Sequence, residues 1–294
     1  MDLSIIIVNY KAKEFIEKCI NSIHENAKLD DYEIIVVDNN SEDGCIKMLS
    51  EKFPEVKTYA SDENVGFSKG NNIGIRMSKG RYILLLNPDT IVYASSLENM
   101  IEYLDKHSET GIAGCRVENS DGSLQRACRR SIPTPMAAFL RLSGLGKLFP
   151  KSKLVNKYNL SYIDENQEIE VDAVSGAFLM FRREVLEYIG GLDEDYFMYA
   201  EDIDFCYRAK QRNWKVMYYP GARITHFKGQ SSKHMSLRAT KAYYDSMAIF
   251  FKKNFEKKTN FLINPVIYFG IWFLKEIAIL KVMLRNGESV GSKG

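Results

Sequence analysis

The chain has little of what builds a disulfide scaffold, a zinc module or a membrane-spanning protein. Its five cysteines, Cys19, Cys45, Cys115, Cys128 and Cys206, are scattered, odd in number and without a Cys-x-x-Cys spacing. Reduced thiols in a cytosolic compartment fit that pattern better than bridges or structural zinc. The run SIIIVNYKAKEF carries no glycine-rich fingerprint after its apolar start. That argues against a nicotinamide-linked dehydrogenase and against a nucleotidyltransferase of the usual kind. The opening MDLSIIIVNY has an acidic lead and a short apolar run, so no signal peptide is expected. No internal repeat and no low-complexity tract is visible.

What is present is ordinary for a globular protein. With 294 residues, 45% hydrophobic and 27% charged, the chain can bury one large core or two small ones. Its net charge is only +2, yet from Arg208 onward 17 Lys/Arg stand against 4 Asp/Glu, so the preceding part is correspondingly acidic. A basic C-terminal portion suits an anionic partner, a nucleic acid or an acidic membrane surface.

The first hundred residues alternate. SIIIVNY, YEIIVVD, VKTYAS and RYILLL read as strands, and KEFIEKCINSIHENA, SEDGCIKMLSEKFP, SKGNNIGIRMSKG and SLENMIEYLDKHS as helices between and after them. Continuous apolar strands separated by helices predict an α/β fold with a mostly parallel central sheet. Ligands of such sheets sit beyond the carboxyl ends of the strands. That rule gathers four polar clusters: Asn9-Tyr10, Asp38-Asn39-Asn40-Ser41, Asn64-Val65-Gly66-Phe67 and Asn87-Pro88-Asp89. One such cluster is ordinary turn chemistry. Four at one sheet end point to a ligand site.

Three further features bear on chemistry. Pro88 has no amide donor, so Asn-Pro-Asp ends a strand and reads either as a plain turn or as the place where the Asp89 carboxylate holds a divalent cation with a diphosphate. Glu201, Asp202 and Asp204 follow the bulky run YFMYA at a helix start, where acids are favoured by the dipole and one can serve as a general base. His226 follows a short apolar stretch and reads either as a structural histidine or as a ligand to that cation. The basic stretch Arg126 to Ile169 reads either as a solvated insertion or as an arginine-rich lid meeting phosphate.

In sequence order, SIIIVNY, VVDNNSEDG, ENVGFSKGNNIGI, ILLLNPDT, SGAFLMFRREVLEYIGGLDEDYFMYAEDIDFCYRAKQRNW and ITHFKGQSS resemble a nucleotide-sugar-dependent glycosyltransferase of family 2 with the GT-A fold. The likeness is to the bacterial rhamnosyltransferase-like subgroup and covers residues 4 to about 232. It implies that Val8, Asn9 and Tyr10 line the donor's base and ribose. Asp38 would bind the pyrimidine edge with Asn40 nearby, and Asn64, Gly66, Phe67 and Asn71 would flank the nucleotide. Asn87 and Asp89 stand at the family's DXD motif, with Asp89 and His226 as ligands to Mn²⁺ or Mg²⁺. The triplet is NPD here, so its first carboxylate is missing. Asp202 matches the catalytic base, Glu201 and Asp204 would order the acceptor or the pocket, and Ser175, Gly176 and Ala177 match an acceptor-side loop.

The resemblance implies an inverting transfer from a nucleoside-diphosphate sugar, dTDP-rhamnose first and UDP-galactose or UDP-glucose second, to a glycan or lipid-linked acceptor. It divides the chain into a catalytic domain at 1–235, with nucleotide-binding (1–115) and acceptor-binding (116–235) halves, and an extension at 236–294. Phe261 to Asn286 is apolar but holds Lys275, Glu276 and Lys281, and lysine pairs precede it. It reads as an anchor at a membrane surface, with a packing helix or homo-oligomer contact as alternatives. The expected location is cytoplasmic, peripheral on the inner face of the cell membrane. A nucleic-acid partner is not expected, because the aromatic residues of the tail sit in an apolar run rather than among its lysines and arginines. A non-catalytic scaffold that keeps the sugar-nucleotide fold is the reading from another class.

Overall fold

Strands form where the sequence runs apolar without interruption. Leu3–Asn9 (β1), Tyr32–Asp38 (β2), Lys57–Ala60 (β3) and Tyr82–Leu86 (β4) pair in parallel in the spatial order β3-β2-β1-β4. Helices Lys13–Asn26 (α1), Cys45–Lys52 (α2) and Phe67–Met77 (α3) connect them. The computed structural model describes residues 1–135, 137, 152, 156–227 and 237–291, the last seven by backbone only. Strands β1 and β4 are buried along their whole length, because helices cover both faces.

Helix α3 lies unusually close to the sheet. Gly70 and Gly74, one turn apart, face Val8 and Ile6 of β1, two residues apart on one side of the strand. A Cβ at Gly74 would lie 2.4 Å from Ile6 Cγ2, so only glycine permits this approach. The helix therefore brings its first residue, Phe67, against the carboxyl end of the sheet.

Beyond β4 the chain departs from simple alternation. Thr90–Val92 (β5), Ser96–Lys106 (α4), Thr110–Glu118 (β6), Arg129–Arg130 (β7), Ile169–Glu170 (β8), Ala173–Val174 (β9) and Phe178–Arg182 (β10) come next. Glu184–Ile189 (α5), Glu201–Lys210 (α6) and Lys215–His226 (β11) complete the sheet region. The nine-stranded sheet has the order β3-β2-β1-β4-β10-β6-β11-β5, with β8 also on β11, while β7 and β9 form a separate ribbon. Strand β10 runs antiparallel to β4 and β6, and β5 and β8 run antiparallel to β11. The other strands of the large sheet share one direction, so it is mostly parallel, as the sequence predicts.

Two long helices follow, Leu237–Asn254 (α7) and Asn264–Gly291 (α8). Phe250 and Phe251 of α7 are buried, and Lys253 pairs with Asp193 and Asp195. Helix α8 lies on α7, with Phe251 against Tyr268 edge to face and Lys275 bound to Asp245.

The expected boundary at 235/236 and the lysine and serines of KGQSS lie outside the described residues, as do 136, 138–151 and 153–155 of the basic stretch. What is described there corrects the lid reading for two residues. Arg129 turns inward to the carbonyls of Ile163 and Asp164, and Arg130 to that of Val174. Both guanidinium groups are buried and bound to the protein, so neither is offered to phosphate.

Candidate functional site

The ends of β1 and β2 meet at Asn9 and Asp38, which are register partners. Asn9 is fully buried; its Nδ2 donates to Asp38 Oδ1 at 2.6 Å and its Oδ1 accepts from the Ala12 amide. Its side chain is thus engaged in holding Asp38. Val8 is likewise buried, packed on α3, and Asn71 is buried with its amide on the Phe67 carbonyl. Tyr10 and Asn40 are exposed, while Asn64 and Phe67 are half-buried, so these are the members of the set that face outward.

Sequence reasoning missed Asn39 as a builder of this edge. Its Nδ2 donates to Asn64 Oδ1 and the Gly66 carbonyl, and its Oδ1 accepts from the Val65 amide. Three hydrogen bonds from one buried side chain fix the 64–66 loop onto β2. Gly66 takes φ +89°, and a Cβ there would lie 2.6 Å from the Phe197 carbonyl oxygen. The Phe67 amide donates to that same oxygen at 2.7 Å. This joint ties the β2 side of the site to the loop before α6. The remaining acids nearby, Asp38 and Asp43, cluster with Cys45, yet Asp43 already accepts from the Lys13 and Cys45 amides. That arrangement caps α1 and α2.

Asp89 and His226 are brought together by a pairing the sequence does not announce. Strand β11 runs antiparallel to β5, and His226 is the register partner of Thr90. His226 Nε2 lies 3.1 Å from Asp89 Oδ1 and 3.2 Å from Asn87 Nδ2. On the other side of the ring, Nδ1 lies 3.0 Å from Gln125 Oε1. Gln125 Nε2 donates to the carbonyls of His226 and Glu118, which orients its Oε1 toward the ring and makes Nδ1 the N–H. The Nε2 lone pair then faces a carboxylate oxygen. A ring nitrogen and a carboxylate oxygen, with the Asn87 side-chain amide beside them, thus converge where they can hold a cation.

Asp202 starts α6 with Glu201 and Asp204. Its Oδ2 accepts from Arg130 Nη2 at 2.7 Å and from the Gly176 amide at 2.9 Å, and its Oδ1 from the Ile203 amide. Glu201 Oε2 is buried without a partner. Burial, and after it the adjacent charge of Asp202, pushes the Glu201 carboxyl up to about 8. Two neighbouring carboxyl groups thus sit in opposite environments, one bound by a cation and amides, the other neutral at pH 7.

Asp204, expected to order the acceptor or the pocket, is engaged by its own helix. Two residues on from Asp202, it leaves the helix on another side and takes Arg208 Nε at 2.7 Å, with Tyr196 OH at 3.4 Å. Arg208 in turn binds the carbonyls of Ile189 and Gly191, so Asp204 locks α6 to the α5 turn rather than facing a pocket. Just before α6, Tyr199 and Ala200 both take left-handed backbone, φ +73° and +65°. Such residues cost about 1–3 kcal/mol each and concentrate at functional sites.

Ser175, Gly176 and Ala177 connect the two acid centres. The Ala177 carbonyl accepts from the Asn87 amide, while the Gly176 amide binds Asp202. A Cβ on Gly176 would lie 3.7 Å from both Asp202 Oδ2 and Phe67 Cε1. One short loop therefore borders the Asn-Pro-Asp turn, the α6 acids and the α3 start.

Comparison with known proteins identifies the family and the fold. The profile of Glycosyl transferase family 2 matches residues 4–190, and that of Glycosyl transferase family group 2 matches residues 149–262. The chain is 34% identical over 221 residues to the Low-salt glycan biosynthesis hexosyltransferase Agl10 of Haloferax volcanii, covering 73% of this chain and 64% of that protein. It thus spans less than two thirds of that relative's length. It is 26% identical over 267 residues to Rhamnosyltransferase WbbL of Escherichia coli, covering 86% of this chain and 96% of the relative. Among solved structures, mannosyltransferase PcManGT from Pyrobaculum calidifontis, in complex with GDP-Man and Mn²⁺, superposes with a TM-score of 0.58 at 17% identity. That match covers 99% of this chain and 75% of the other, and is a likeness of fold.

Proposed function

The chain belongs to Glycosyl transferase family 2, and from that premise we propose that it is an inverting glycosyltransferase that takes its sugar from a nucleoside diphosphate. One observation carries the reading: the Ser175–Ala177 loop binds the backbone amide of Asn87, whose side chain meets the Asp89–His226 pair, and also binds the Asp202 carboxylate. Relatives named for rhamnosyl and hexosyl transfer support dTDP-rhamnose as the first donor and UDP-galactose or UDP-glucose as the second. The acceptor is a glycan or lipid-linked saccharide in cell-surface polysaccharide synthesis.

The donor set fits a divalent cation. Cis ligands of an octahedral ion at 2.0–2.1 Å lie about 3 Å apart, close to the separation of His226 Nε2 and Asp89 Oδ1. Gln125 supplies the outer contact that orients a ligating imidazole. Mn²⁺ or Mg²⁺ bound there would neutralise the charge that grows on the departing diphosphate. Asp202 takes the proton of the acceptor hydroxyl as that oxygen bonds to the anomeric carbon from the face opposite the leaving group. The bond from that carbon to the phosphate oxygen breaks, and the configuration inverts. Tyr10, Asp38, Asn40, Asn64 and Phe67 hold the nucleotide side, and Ser175–Ala177 with Glu201 border the acceptor. The assignment is tested by release of nucleoside diphosphate from dTDP-rhamnose, UDP-galactose and UDP-glucose with Mn²⁺ present. Turnover of one of them supports it; turnover of none, with the chain folded, leaves the scaffold reading.

The division into a catalytic domain at 1–235 and an extension at 236–294 is part of the proposal, as is a place on the inner face of the cell membrane. No described helix is long and apolar enough to cross a membrane. Along α8, however, Val266, Phe269, Phe273, Leu280 and Leu284 are exposed at spacings of three, four or seven residues. With Glu276 they make one outward strip, and Lys252, Lys257 and Lys258 are exposed near its start. An apolar strip beside cations fits an acidic lipid interface better than water. The full chain is expected to sediment with vesicles rich in anionic phospholipid, and Phe269→Asp with Phe273→Asp to abolish this. Equal binding by the double variant would refute the role of the strip. Concentration-dependent dimerisation without vesicle binding would assign it to a second copy.

A further inference from the structure

The arginine-rich stretch singled out in the sequence has a use other than phosphate contact. Arg130 lies on β7, which pairs with β9, and its carbonyl accepts from the Asp172 amide, so its backbone is fixed from two sides. Its guanidinium group is buried and divided between the Val174 carbonyl and Asp202 Oδ2, both at 2.7 Å, while its Nε has no partner. Among the described residues the remaining hydrogen bonds to Asp202 come from backbone amides, at Gly176 and Ile203.

A buried ion pair is a poor device for stability, because desolvation offsets most of its attraction and an apolar pair of similar size often serves as well. An unpaired Nε adds to that cost. The arrangement makes better sense as control of a reacting carboxylate. We propose that Arg130 is the positioning residue of the catalytic base: it binds one oxygen of Asp202 and fixes the rotation of the carboxylate. The inference rests on the reading of Asp202 as the base.

The groups around the pair are few. Asp202 faces Arg130 from β7 and, on its own helix, Glu201 and Cys206; Arg130 also faces Tyr158. Burial pushes the Cys206 thiol up to about 12, so it stays neutral. Among the described residues the Arg130 guanidinium is the cation hydrogen-bonded to Asp202, whereas Glu201 Oε2, next to it on the helix, has no partner.

The test uses the full chain, Mn²⁺ and the donor that the wild type turns over, with water or glycan as the acceptor hydroxyl and release of nucleoside diphosphate as the signal. Arg130→Met is expected to lower kcat by about 10²–10³-fold with the KM for donor and the affinity for free nucleoside diphosphate within about twofold. The acid limb of its kcat–pH profile is expected to move about one unit or more toward higher pH. Arg130→Lys keeps the charge without the fork, so it should fold even if the methionine variant does not, and should recover part of the rate with its acid limb near that of the wild type. A kcat within about twofold of wild type in Arg130→Met overturns the proposal. So does a fall in both variants that brings lost nucleotide binding and an unmoved acid limb, since that is the result of a purely structural arginine. Asp202→Asn serves as the control. Retained turnover in that variant would sink the base assignment itself, a failure distinct from any result at Arg130.

Discussion

Asp202→Asn is expected to reduce sugar transfer by about 10³-fold or more while leaving nucleotide binding within about twofold of wild type. The substitution is nearly isosteric, and an asparagine oxygen can still accept from Arg130 and the Gly176 amide, the contacts made by Oδ2 at 2.7 and 2.9 Å. What it removes is the ability to take a proton. General-base catalysis contributes roughly 10²–10⁴-fold, so the loss should fall in kcat with little change in KM. Glu201 cannot take over. Its carboxyl, pushed up to about 8 by burial and then by the Asp202 charge, is protonated at neutral pH. Without that neighbouring charge it titrates lower, yet its Oε2 is buried without a hydrogen-bond partner. Loss of nucleotide affinity together with turnover would show instead that Asp202 organises the site, and equal turnover would remove it from the chemistry.

The second large effect is expected at Asp89. Asp89→Asn keeps the size of the side chain and leaves untouched the backbone bond from the Phe227 amide to the Asp89 carbonyl. The fold should persist. A neutral amide is a far weaker ligand for Mn²⁺ or Mg²⁺ than a carboxylate, and the first acid of the usual motif is already replaced by Asn87. The site has no second carboxylate in that turn to compensate. Metal-dependent affinity for nucleoside diphosphate is therefore expected to fall about 10²-fold, or roughly 2.7 kcal/mol. Removing an outer-shell contact costs about 10–100-fold, so Gln125→Leu, which frees Nδ1 of His226, should show a milder loss of the same kind. If Asp89→Asn binds nucleotide as the wild type does, with Mn²⁺ and with chelator alike, the diphosphate is held elsewhere.

These two residues were legible in the sequence for a physical reason. Each lies at a local boundary, Asp89 where proline ends a strand and Asp202 where acids open a helix, and such boundaries are marked by the residue types themselves. The same holds for β1 to β4, whose uninterrupted apolar runs follow from burial on both faces. What the sequence hid depends on pairing over distance. His226 reads there as following a short strand. It ends one of twelve residues with Pro220 and Gly221 inside, where the register against β6 shifts. Its meeting with Asp89 comes from antiparallel pairing with β5, a register that no local pattern encodes.

Gln125, Asn39 and Arg130 were hidden for a related reason. Each has a side chain that acts on another functional residue across the fold: Gln125 on His226, Asn39 on Asn64, Arg130 on Asp202. Polar residues in loops carry no periodicity that would reveal such a partner. Asp204 stands among acidic neighbours in the sequence, and helical geometry turns it toward Arg208, a contact the pattern of acids does not announce. Asn9 and Val8 stand at the correct strand end but face inward, one onto Asp38 and one onto α3.

The most direct test of the central claim is calorimetric titration of the full chain with dTDP, UDP and GDP, in Mn²⁺ and then in chelator. The account predicts that dTDP or UDP binds in Mn²⁺, that chelator removes most of the affinity, and that Asp89→Asn behaves in Mn²⁺ as the wild type does in chelator. Preference for dTDP would support rhamnosyl transfer and preference for UDP a hexose. Absence of binding by all three nucleotides to the folded chain would contradict the account.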